Sequence, residues 1–87
     1  MAIIGGEPEQ LSALKTTFDR QSALVQELTG TIRSQLDGTN WQGPNAERFR
    51  SSWRDEYEPV LRRLEQALVD AGTEVARARD RLLQAGA

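Results

Sequence analysis

The sequence predicts an all-α chain, an antiparallel helical hairpin (helix-turn-helix) expected to pair into a four-helix bundle. Three observations carry that expectation. Apolar residues recur at three- and four-residue steps along two long stretches, which gathers them on one side of a helix at about 100° per residue. Residues that favour turns cluster once between those stretches, at Gly38, Thr39, Asn40 and Gly43. A chain of 87 residues holds one domain and has no room for a second core. The predicted organisation is a single domain over 1–87, with a helix over about 8–37, a turn over 38–43 and a helix over about 44–83.

Pro8 suits the first turn of a helix, where its missing N–H is not needed, and Glu7 and Glu9 place negative charge at the positive end of the helix dipole. Leu11, Leu14, Phe18, Val25, Leu28, Ile32 and Leu36 then share one side, with Gln21 as the polar position in the series. Lys15, Asp19 and Arg33 lie away from that side, and Leu24 lies off its centre. Gly38 is the expected helix stop, and Pro44 is an early residue of the second helix with Glu47 behind it. A link of about five residues forces the two helices to lie antiparallel.

In the second helix Ala46, Phe49, Trp53, Tyr57, Val60, Leu64, Leu68 (or Ala67), Ala71, Val75, Ala78 and Leu82 keep a nearly seven-residue repeat. Leu61 and Arg50 flank the stripe. Pro59 removes one helical hydrogen bond and crowds the carbonyl four residues back. The residues before and after it stay in phase, and Pro59 projects to the wet side. One bent helix is therefore favoured over a stop at Glu58 and a third helix. Gly72 is a second weak point, costing about 1 kcal/mol relative to Ala. Ala85, Gly86 and Ala87 suggest a frayed end.

Composition narrows the function. Eleven basic residues against thirteen acidic give a net charge of -2, with no general attraction to nucleic acid or an anionic membrane. Arg77, Arg79 and Arg81 form a basic cluster with Asp80 inside it. It reads either as cations favoured in the last turns of a helix or as a site for an acidic partner. Cys and His are both absent, which removes the usual nucleophile, general base and structural-zinc ligands. Glu47, Asp55, Glu56 and Glu58 fall on or near the solvated side, where no acid catalyst gains a raised pKa. No enzyme, cofactor or metal site is expected. The apolar stripes are interrupted by charge, so no stable membrane insertion is expected either. Ala2, Ile3 and Ile4 are too short a run for a cleavable signal peptide.

What remains is protein binding. Two helices side by side shield only part of wide apolar sides, and a second hairpin would cover them. The expected interface residues are Leu14, Phe18, Val25, Leu28, Ile32, Phe49, Trp53, Tyr57, Val60, Leu64, Leu68 and Val75. The ladder Phe49–Trp53–Tyr57 serves either this interface or packing within the hairpin. At the turn, Trp41 offers an apolar plug, and Gly43 lets the backbone pass close to its ring.

Trp41-Gln42-Gly43 between two long helices, with Ala46 and Phe49 behind it and no cysteine, resembles the WXG motif family. These are the small early-secreted-antigen-like substrates of the type VII (ESX) secretion system. The resemblance covers nearly the whole chain. It implies hairpins that pair antiparallel into four-helix bundles, as homodimers or with a paralogous small hairpin. It implies cytoplasmic folding followed by export without a cleaved signal peptide, through a machine driven by a secretion ATPase. It makes Trp41 and Gly43 the turn and part of a recognition signal. The family's second signal, Tyr-x-x-x-Asp or Tyr-x-x-x-Glu after the second helix, is not matched. Tyr57 is followed by Leu61, and Asp80 has Ala76 four residues before it. The alternative expectation is a structural coiled-coil adaptor or chaperone for an exported partner, which would stay in the cytoplasm.

Overall fold

The computed structural model describes residues 6–86; the apolar run Ala2–Ile4 and the terminal Ala87 lie outside the described residues. Helix α1 spans Pro8–Gly38, and α2 spans Pro44–Ser52. A π-helical segment over Trp53–Tyr57 joins α2 without a break to α3, Glu58–Gly86. The described chain is thus all-helical, with α1 lying along the second arm as a hairpin of 68 × 17 × 15 Å. Its radius of gyration is 19.6 Å, where a compact domain of this length would have about 12 Å.

Each boundary has a local cause. Pro8 sits in the first turn of α1 as its ring requires. The helix ends at Gly38 without using a left-handed glycine, because Thr39 is extended and its N–H bonds the Leu36 carbonyl at 3.3 Å. The left-handed half of conformational space is used instead at Gly43, with φ 108° and ψ 176°, a region open essentially to glycine alone. A Cβ placed at Gly43 would meet nothing within 4 Å. Its glycine is thus set by the backbone angle rather than by a close approach to Trp41, which corrects the expected reason.

Pro59 neither breaks the arm nor sits on its wet side; it is partly covered. The strain it would impose is taken up one turn earlier. The Glu58 N–H reaches back five residues to the Trp53 carbonyl, which widens the turn just before a residue that has no N–H to give. That extra residue changes which side chains face inward. With uniform α spacing, Tyr57 follows Trp53 on the inner side. In the structure Glu58 takes that position and is 4% exposed, while Tyr57 is 50% and Val60 51% exposed. Glu58 on the solvated side is therefore a second correction.

The most deeply buried of the described residues between the arms are small or polar, and larger apolar side chains beside them are only partly covered. Ala46, fully buried, is the seam's buried apolar residue, joined by Ser22, Thr29, Glu58 and Gly72. Ser22 Oγ donates to the Glu65 carbonyl at 3.1 Å across the seam. Gly72 admits α1 so closely that a Cβ there would lie 3.2 Å from Phe18 Cβ. Near the open end, Arg79 Nη1 donates to Ser12 Oγ at 3.2 Å.

Candidate functional site

The residues expected at an interface divide into two sets. Phe18, Val25, Trp53, Leu68 and Val75 are partly covered and line the seam. Leu14, Leu28, Ile32, Phe49, Tyr57, Val60 and Leu64 are more than a third exposed. At about 100° per residue the exposed set lies roughly a quarter-turn from the seam on each arm, and on the same side of the hairpin. The result is one long apolar face. Leu24 adds to it from α1, and Val69 and Leu83 are exposed elsewhere on α3.

At the loop end the face becomes aromatic. The Trp41 and Phe49 ring centroids are 5.7 Å apart, Phe49 and Tyr57 6.5 Å, and Trp53 and Tyr57 6.2 Å, each pair tilted. Such pairs add about 0.5–1.5 kcal/mol beyond the area they bury. Trp41 remains 40% exposed and Phe49 41%, so Trp41 leans on the ladder without closing the hairpin's end.

Arg50 holds this loop in place. Its Nη1 donates to the Trp41 carbonyl at 2.8 Å, and its Nη2 donates to the carbonyls of Thr39 at 3.0 Å and Leu36 at 3.5 Å. These lie at or beyond the end of α1, whose last turn carries no basic residue. A cation is favoured there, and α2 supplies it. From the sequence Arg50 only flanks the stripe, and the missing cation at the end of α1 is the signal that could have pointed to its role.

Behind the ladder sits the buried carboxylate. Arg33 grips Glu58 with two hydrogen bonds, Nε to Oε2 at 3.1 Å and Nη2 to Oε1, and Arg62 Nη2 approaches Oε1 at 3.5 Å. The Arg33 hydrogen bonds hold the Glu58 carboxyl below its ordinary pKa, against the opposing cost of burial. The Trp53 indole Nε1 is buried and makes no hydrogen bond of good geometry, although its nearness also favours the ionised carboxylate. The Arg33 guanidinium is raised in turn by Glu58. An acid held ionised by two arginines is a structural anchor and has no proton to give at neutral pH.

Among the described residues no three His, Cys, Asp or Glu side chains gather as metal ligands would. No described helix is long and apolar enough to cross a membrane. Compared with known proteins, the chain matches no family model, no curated protein and no solved structure.

Proposed function

We propose that this chain is a protein-binding hairpin that acts as a dimer, covering its apolar face with a second helical hairpin to complete a four-helix bundle. One observation carries the reading: large apolar side chains on both arms stand exposed along one side of the hairpin, while among the described residues Ala46 is the one apolar residue fully buried and the rest of the seam is only partly covered. Its accessible surface of 6663 Å² compares with about 5,100 Å² for a compact monomer of this mass. Exposed apolar faces of this extent mark interaction sites.

The biological setting we propose is a type VII secretion system, with the chain folded in the cytoplasm and then exported. The support is Trp41-Gln42-Gly43 at the hairpin turn, Gly43 in a conformation that needs glycine, and Phe49 packed on Trp41. The partner is a second copy or a paralogous small hairpin, and the secretion ATPase is the further contact.

Two measurements test this. Sedimentation of the purified chain, alone and with the product of the neighbouring gene, should show an assembly of two hairpins in one case or both. A monomer in every mixture overturns the dimer. Culture supernatants of the native host, with and without the secretion ATPase, should contain the chain only when the ATPase is present. Retention inside the cell in both strains would leave the adaptor role, the alternative raised by the unmatched Tyr-x-x-x-acid pattern.

A further inference from the structure

We infer that the second arm has two rotational settings against α1, and that Pro59 holds the hairpin in the one that leaves its apolar face open. The inference rests on the protein-binding reading above and adds to it a control on when that face is exposed.

Two series of residues, offset by one position, compete for the seam side of α3. Glu58, Glu65, Gly72 and Arg79 recur every seven residues and occupy it, Glu58 and Gly72 buried, Glu65 and Arg79 partly covered. Tyr57, Leu64, Ala71 and Ala78 each stand one residue earlier and form the more apolar set. Tyr57 and Leu64 are nonetheless 50% and 45% exposed. Leu61, Leu68, Val75 and Leu82 lie three residues after the first set and four after the second, the two steps by which a helix keeps one side. They are partly covered and stay inward in either setting. Exchanging one series for the other therefore turns α3 by about 50°, half the angle between successive residues.

The first arm repeats the pattern. Ser22 and Thr29 are buried, whereas Gln21 and Leu28, one residue earlier, are exposed, and the partly covered Phe18 and Val25 serve both series. The two arms can thus roll toward each other in opposite senses. Closing brings in Leu14, Leu28 and Ile32 from α1 and Tyr57, Val60 and Leu64 from the second arm, none of them charged. It returns Ser22, Thr29 and the paired Arg33 and Glu58 to water, so no charge is left buried without a partner.

The wide turn is where the two settings part. With five residues to the turn, Glu58 follows Trp53 to the seam; with four, Tyr57 would. Pro59 decides between them. In a regular helix its ring crowds the Asp55 carbonyl and leaves that carbonyl without a donor, and the wide turn takes up this strain. The open setting is therefore the one that Pro59 favours. A partner seated on the apolar face stabilises it further, because that partner binds the open setting alone.

The test labels single cysteines in this otherwise cysteine-free chain with a maleimide, at dilutions where sedimentation shows a monomer. Leu64→Cys samples the open side. Glu65→Cys samples the seam and keeps the carbonyl that Ser22 bonds. With Pro59 in place Leu64→Cys should react faster. Pro59→Ala should reverse the order, and adding Tyr57→Lys, whose charge cannot enter the seam, should restore it. Circular dichroism should show every chain equally helical. With about a tenth of the Pro59→Ala chains left open, anilinonaphthalene sulfonate, a probe of the apolar face, should bind about tenfold more weakly. An unchanged labelling order in Pro59→Ala, or faster labelling of Glu65→Cys with Pro59 in place, overturns the two settings and leaves the protein-binding reading standing. A chain that labels as expected yet stays monomeric in every mixture upholds the two settings and removes that reading instead.

Discussion

Replacing Glu58 by Gln keeps the shape of the side chain and removes the charge that two arginines enclose. Hydrogen bonds to a charged group contribute about 1.5–3 kcal/mol. Arg33 and Arg62 stay about half or more exposed and can be rehydrated, so a loss toward the lower end is expected in urea denaturation. The pH dependence has a definite sign. The folded carboxyl titrates below its ordinary value of 4.5, so its contribution is complete above that value. It is lost as pH falls through the lower folded value. Glu58→Gln should flatten this acid limb of the stability curve. Gly43→Ala forces a side chain into the conformation at φ 108° and should cost about 1–3 kcal/mol. Gly38→Ala, with open space around it, should be neutral or slightly stabilising. If the two glycine variants unfold alike, the turn does not depend on the Gly43 geometry.

Within the elements, most of what the sequence made legible concerns the first arm. There the 3.6-residue period runs from Leu11 to Leu36 with Gln21 as its polar member, which fixes the helix but not its buried edge. The structure covers Phe18 and Val25 partly, leaves Leu14, Leu28 and Ile32 exposed, and buries Ser22 and Thr29, which the apolar series passes over. The second arm was legible only as far as Trp53. Nothing in a uniform period reveals a turn of five, and that turn moved Glu58 inward and left Tyr57 and Val60 outside. Proline was the visible clue, but it marks strain without saying how the backbone relieves it. Gly72 was legible as a weak helix position and illegible as a packing site, since only the opposing Phe18 explains it. The two mid-helix glycines should therefore answer differently to alanine. Gly30→Ala meets nothing within 4 Å and should stabilise by about 1 kcal/mol. Gly72→Ala presses on Phe18 and should lose that gain or destabilise, as thermal melts of the two variants would read.

For the whole molecule, the dimer proposed above would make stability depend on association, since the seam itself covers its apolar side chains only in part. The melting temperature should rise with protein concentration, because association draws on the folded hairpin alone. Leu28→Lys and Leu64→Lys, both at exposed positions, should leave helix content unchanged at high dilution and abolish the concentration dependence. A melt independent of concentration in the wild type would mean that the hairpin is sufficient by itself. The wide turn at Trp53–Tyr57 has one more implication, for the length of the chain. It spends five residues where a regular helix spends four, yet Trp53 and Glu58 both point inward, just as residues four apart would. The second arm thus holds one residue more than its packing uses. A chain lacking the exposed Asp55, and with Pro59→Ala to permit regular helix, should fold with the same inward set on both sides of the deletion. Related hairpins one residue shorter at this point would be the same molecule without the insertion.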